Sequence, residues 1–380
     1  MKLSRSQHRC AVTSGTSSVL LLIAATAQSA NAQLAVTDLG TLGGTSSPYS
    51  TSIPGYPVSY ALSVNNTGTI VGASYIADNA TLHAFTYSGA GPMADLNPML
   101  GGTNSSAQGI NNLGQIVGYS DNFAFYYGGG PTATNLGTLP GYVGSFANSI
   151  NDSGEIAGEV NSYTGGGYAP YQAFIYSGGV MTGIGTLGGN NSSANAINNL
   201  GNVVGYSDTA GANAPQHAFL YDGTTMHDLG SLLGPSGNSD GQAINNLNMV
   251  TGGSEAPGGN YDAFLYDGTL HDLGTLGGNY SYGWGINDLG QVVGDSYLPD
   301  QSDHAFIYQN GVMTDLNSLV VGSGWTLNEA LAINNSGEIV GYGVNPSGQV
   351  DAFAINVPEP TSLSLLGIGA AALLRRRSRI

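Results

Sequence analysis

The stretch AINNLGNVVGYS, residues 196–207, reads by itself as two short strands joined by a tight turn. Six close copies accompany it: SVNNTGTIVGAS from residue 63, GINNLGQIVGYS from 109, SINDSGEIAGEV from 149, AINNLNMVTGGS from 243, GINDLGQVVGDS from 285 and AINNSGEIVGYG from 332. Their first Asn falls at Asn65, Asn111, Asn151, Asn198, Asn245, Asn287 and Asn334, spaced by 46, 40, 47, 47, 42 and 47 residues. A strand-rich period of about 45 residues is the pattern of four-stranded propeller blades, not of short solenoid coils.

The unit from Gly278 shows the four strands by alternation. YSYGWGIN (280–287) is strand one, QVVGDSY (291–297) strand two, HAFIYQ (304–309) strand three and VMTDL (312–316) strand four. Three residues after the first Asn stands Gly in six copies and Asn248 in the seventh. That turn needs one residue with positive φ, which Gly adopts freely and Asn tolerates best among the rest. The first Asn is expected to cap the turn through its side-chain oxygen. Four and two residues before it stand only small residues, such as Ala61 and Ser63, or Gly283 and Gly285. Alternate residues share a face, so strand one should present one bare face where strands crowd around an axis. Phe85 with Tyr87, Phe219 with Tyr221 and Phe306 with Tyr308 should fill the wedge between blades.

Strand four carries DLG or a variant in each unit except the last, which ends at DAFAIN. The missing copy lies at the other end, in VTDLGTLGG (36–44). The fold class is therefore all-β: a seven-bladed β-propeller of four-stranded antiparallel blades, closed by the N-terminal strand joining the last blade. Closure of this kind removes an exposed edge.

Charge is confined to few places. All seven Lys and Arg lie at the ends, whereas every one of the 24 Asp and Glu except Glu359 lies between residues 33 and 356. Such a surface repels phosphate, which excludes nucleic acid and makes anionic membranes poor partners. The single cysteine, Cys10, allows no disulfide framework. Residues 1–32 read as a signal peptide: a basic start, the apolar run VLLLIAATA (19–27), and a cleavage site at Ala30 and Ala32.

Residues 357–380 form a separate segment. VPEPTSLSLLGIGAAALLRRRSRI combines Pro358, Glu359 and Pro360 with a short apolar stretch and Arg375, Arg376 and Arg377. It resembles the PEP-CTERM sorting signal of Gram-negative, exopolysaccharide-producing bacteria. The resemblance implies processing by an exosortase-type enzyme, transient or anchoring membrane contact through this segment, and a place at the cell surface or in the extracellular matrix. Residues 33–356 resemble the extracellular HAF-repeat family, through His83-Ala84-Phe85, His217-Ala218-Phe219 and His304-Ala305-Phe306. Other units hold Phe123, Gln172, Asp262 or Asp351 in place of the His, so His is no required ligand. The family implies export and a repeat fold, with no common catalysis.

In a meander of four strands, the one-to-two and three-to-four turns share one face, and these are short and uniform. The two-to-three and four-to-one loops share the other, and these are long and irregular; scaffold loops of that kind carry function. On that irregular face, Tyr280, Tyr282, Trp284, Tyr297, Asp300, Asp303 and Trp325 are candidate ligand residues, since flat aromatics beside carboxylates can stack on and hydrogen-bond a sugar. No Ser-centred elbow or phosphate loop appears, and the five His of residues 33–356 show no metal spacing. His227 and His271 recur at equivalent strand-four positions and are expected to pack. No catalytic, metal or cofactor residue is assigned. Oxygen ligands for Ca²⁺ abound, but no EF-hand loop is present. The sequence thus points to a non-enzymatic binding module for extracellular polysaccharide or a surface protein. The alternative is a secreted glycosidase or lyase on the same scaffold.

Overall fold

The structure, a computed structural model, describes residues 33–49, 56–162, 170–211 and 213–358. The signal peptide with Ala30 and Ala32, and Glu359, Pro360 and Arg375–Arg377 of the sorting segment, lie outside the described residues. Among the described residues, seven four-stranded antiparallel sheets form. Six are consecutive meanders; the seventh orders its strands as Thr37–Gly40, Val350–Asn356, Glu338–Val344 and Thr326–Ile333. Thr37 pairs with Ala354 and Asp38 with Phe353, so the N-terminal strand supplies the outer strand of the last blade. Ala61, Ile70 and Phe85 of the first blade share one core with Leu39, Val340 and Ala352 of the last, which closes the ring.

One Phe per blade fills the wedge between sheets. Phe85, Phe174, Phe219, Phe264, Phe306 and Phe353 are fully buried, and Phe125 nearly so. Each sits opposite a strand-two Gly, as Phe219 does opposite Gly205. A Cβ on Gly205 would lie 1.9 Å from the Ser193 carbonyl oxygen, and one on Gly294 would lie 1.8 Å from that of Tyr282. The Gly of the VVG run is therefore fixed by close approach of strand one. Its cause is a β-bulge at the same level in every blade, as between Ala61 and Ser63 or Ala194 and Ala196. The bulge corrects one expectation: the two small residues of strand one do not share a face. Ala61 enters the core between blades, whereas Ser63 lines the axial channel.

The repeated turns join the blades by two closed rings of hydrogen bonds. Asn198 Oδ1 caps its own turn, accepting from the Leu200 and Asn202 N–H groups at 3.0 Å each. Its Nδ2 also donates 3.0 Å to the Asn245 carbonyl of the next blade. The same bond runs from Asn65 to Asn111, Asn151, Asn198, Asn245, Asn287 and Asn334, and back to Asn65. A second ring uses the following residue: Asn199 N–H donates 3.0 Å to Asn246 Oδ1, and Asn335 N–H closes the circle on Asn66 Oδ1 at 2.9 Å. Asn248, which replaces Gly in the turn, has φ 63° as expected.

The His of each His-Ala-Phe triplet pairs with the strand-four Asp of its own blade. His83 Nδ1 is 2.8 Å from Asp95, His217 2.8 Å from Asp228 and His304 2.9 Å from Asp315. His227 and His271 do not pack as expected; they are half-exposed and pair at 2.8 Å with Asp222 and Asp267 of the adjacent turn. In the fifth blade Asp262 takes the triplet His position, and burial, then the Asp272 charge, pushes its carboxyl up to about 6. Asp262→His should recreate the pair and raise the unfolding midpoint by roughly 1–2 °C at pH 7, the effect of about 1 kcal/mol. Calorimetry of the variant checks this. An unchanged midpoint would show that the imidazole finds no partner there.

Candidate functional site

The seven inner strands, Ser59–Val64 through Thr326–Ile333, surround an axial channel with a cavity of about 420 Å³. Its walls at the bulge level are small residues such as Gly109, Ser149 and Ala196. Near the tight turns the channel narrows to the double Asn ring, whose first-Asn side chains are all buried and paired. That end is a structural seam.

The loop-face end differs. One cross-strand pair beyond the bulge, the repeats stop agreeing. The paired residues are Tyr60–Ala73, Ser106–Tyr119, Phe146–Glu159, Ser193–Tyr206, Asp240–Gly253, Tyr282–Asp295 and Glu329–Tyr342. Here acidic and aromatic side chains replace the constant small ones. Between the sixth, seventh and first blades this level opens into a cavity of about 630 Å³, lined by Tyr56, Pro57, Tyr60, Leu62, Trp284, Tyr297, Asp303, Glu329, Leu331 and Tyr342. Leu62, Trp284 and Leu331 are shared with the axial channel, so the two spaces adjoin.

Two carboxyl groups, Asp303 and Glu329, line this cavity, and a third, Asp295, is buried beside them. Asp295 is buried and accepts a 2.6 Å hydrogen bond from Trp284 Nε1. Burial, then the charges of Glu329 and Asp303, hold Asp295 well above the usual carboxylate range. Burial raises Asp303 to about 6, and its Oδ1 is buried with no hydrogen-bond partner. Burial likewise raises Glu329 to about 7, against the hydrogen bond it accepts from the Tyr342 hydroxyl. A buried carboxylate ordinarily finds Arg or Lys. No Lys or Arg exists between residues 33 and 356, so these groups carry protons or face a ligand. Around the same end, burial raises Asp240 to about 6; it accepts from Tyr282 Oη at 2.8 Å and from Asn195 Nδ2 at 3.0 Å.

Of the seven aromatic and acidic candidates read from the sequence, Trp284, Tyr297 and Asp303 line the cavity. Tyr280 stands behind it, its ring 5.0 Å from that of Tyr297. Tyr282 is 7% exposed and spends its hydroxyl on Asp240, so it is a core residue rather than a platform. Trp325 packs edge-on against Phe353 at 6.4 Å, within the core of the sixth and seventh blades. Asp300 is exposed in its loop, where it accepts from Ser302. Sequence reasoning passed over Tyr56, Tyr60, Asp295, Glu329 and Tyr342. All but Tyr56 sit at the one level where aligned repeats disagree, and that disagreement is the signal that finds them.

Residues 356–378 match the PEP-CTERM protein-sorting motif. The motif implies that the chain is an exported exosortase substrate, sorted at the membrane or cell surface. No curated protein matches the chain in sequence. Among solved structures it is similar to the β-propeller domain of the Trilobed protease from Pyrococcus furiosus (12% identity, 69% of this chain and 83% of that one, TM-score 0.45). It is also similar to a subtype N11 neuraminidase-like protein of a bat influenza A virus (11% identity, 86% and 98%, TM-score 0.41) and to the six-bladed lectin of the fungus Aleuria aurantia (10% identity, 68% and 95%, TM-score 0.35). These likenesses concern the propeller fold alone.

Proposed function

We propose that this exported propeller is a non-enzymatic binding module that holds an extracellular polysaccharide at its loop-face cavity. The His-Ala-Phe repeats would place it among HAF-repeat proteins of matrix-forming Gram-negative bacteria. One observation carries the reading: a cavity of about 630 Å³ walled by Tyr56, Tyr60, Trp284, Tyr297 and Tyr342 holds the acids Asp303 and Glu329 at its polar edge. Aromatic rings offer a flat apolar platform at low entropic cost, and carboxyl groups hydrogen-bond hydroxyls. With no basic side chain at hand, the fitting sugar is neutral or carries an amine, and uronates are repelled. Binding should depend little on salt for a neutral sugar.

A glycan array followed by titration calorimetry tests this on the chain from residue 33. Tyr56→Ala and Glu329→Gln should each weaken binding about tenfold, the effect of roughly 1.4 kcal/mol, with the unfolding midpoint of Tyr56→Ala little changed. Unaltered affinity in both variants, or preference for uronate polymers, would sink the proposal. The carboxyl cluster also favours a second reading, hydrolysis of a glycoside, because burial sets Asp295 well above the usual carboxylate range beside Asp303 and Glu329, and carboxyls of unlike acidity are what an acid and a base require. Release of reducing ends that Asp303→Asn abolishes would select the enzyme.

A further inference from the structure

We propose that the tight-turn face is the side this propeller lays against a lipid surface, so that the loop-face cavity looks outward. The inference takes the sorting segment to enter the membrane and is independent of what the cavity binds. It starts from where the chain leaves. Asn356 pairs with Glu338 beside the last Asn turn, and Val357 N–H donates 2.9 Å to the Gly337 carbonyl of that turn. The described chain ends at Pro358, on the tight-turn face. Only Glu359 and Pro360 separate it from the apolar stretch that opens at Thr361. Fully extended, that connection spans about 10 Å. While that stretch is in a bilayer, a propeller tied so closely would turn this face toward it.

The face is made for such contact. The second residue after the first Asn, at the tip of the turn, is Leu113, Leu200, Leu247 or Leu289 in four blades, exposed by 69, 65, 66 and 56%. Thr67, Ser153 and Ser336 fill the same position elsewhere, so the turn itself does not need Leu. Val180 and Val312, on three-to-four turns of the same face, are as exposed. Half-buried Tyr176, Tyr221, Tyr266 and Tyr308 pair with the first residue of strand two, at the rim of this face. Tyr is at home at the boundary between water and lipid. Exposed Asp222 and Asp267 on the same side, with no Lys or Arg, fit zwitterionic rather than anionic headgroups.

The test uses the chain from residue 33 to 380 on phosphatidylcholine vesicles. Cys10 precedes this start, so Leu200→Cys, Leu247→Cys, Leu233→Cys and Ser302→Cys each give one labelling site. With a fluorophore on that thiol and a nitroxide on the lipid headgroup, the two tight-turn labels should be quenched at least threefold more than the loop-face labels at 233 and 302. Replacing Leu113, Leu200 and Leu289 by Ser should lower quenching of a label at 247 without moving the unfolding midpoint. Equal quenching on both faces, or stronger quenching at 233 and 302, overturns the orientation. Failure of the full chain to sediment with vesicles overturns the membrane tether instead.

Discussion

Thermal unfolding should come latest near pH 4 and earlier by roughly 10 °C at pH 8. Burial raises Asp240, Asp262, Asp303 and Asp351 to about 6 and Glu329 to about 7. Each binds its proton more tightly folded than unfolded, where carboxyls titrate near 4. Their contribution is therefore complete below about pH 4 and drains away as pH rises through the folded values of 6 to 7. A limb of opposite sign bounds the optimum on the acid side. The hydrogen bonds from His227 and Thr224 hold Asp222 below the ordinary range, as those from Thr81 hold Asp78, and this stabilisation is lost as pH falls below about 4. Calorimetry from pH 4 to 8 measures the profile. A midpoint that is flat or rises above pH 5 would show these acids ionised without penalty. Asp240→Asn should remove part of the slope.

The second large effect belongs to the ring of first asparagines. Asn198→Ala should lower stability by about 3 kcal/mol, because it breaks one buried and several part-buried hydrogen bonds at once. The Leu200 and Asn202 N–H groups lose their acceptor, the Asn245 carbonyl loses its side-chain donor, and Asn248 Oδ1 keeps only the bond from Asn202 Nδ2. Asn199→Ala removes only its two side-chain bonds with Asp152, nearer solvent, and should cost about 1 kcal/mol. Asn198→Asp keeps the cap but turns a carboxylate toward the Asn245 carbonyl, so it should be no milder than Ala. Urea midpoints order the three. If Asn199→Ala proves the costlier change, the inner ring is not the main tie between blades.

The sequence made the fold legible because repetition filtered out everything blade-specific. The Asn, the turn Gly and the strand-two Gly answer to backbone geometry alone, and geometry is the same in each blade. Half of what Asn198 does was readable, since a cap is local. Its bond to Asn245, 47 residues away, depends on the ring being closed. The cavity resists the same method for the opposite reason. Glu329, Asp295 and Tyr60 are ordinary members of three different strands until blades six, seven and one are set side by side. Tyr282 and Trp325 misled because an aromatic on an irregular face looks available, yet the bulge turns one toward Asp240 and a loop folds the other onto Phe353.

The closing strand also decides how the propeller would carry mechanical load if held by its C-terminal segment. A chain held by its C-terminal segment is pulled through Val350–Asn356. Without Thr37–Gly40 that strand would be an edge, and tension could peel it off one bond at a time. With the N-terminal strand outside it, it is laddered on both flanks, to Glu338–Val344 along its whole length and to Thr37–Gly40 at its middle. Force along its axis must then shear both ladders together, so the point of attachment is a reinforced seam rather than a loose end.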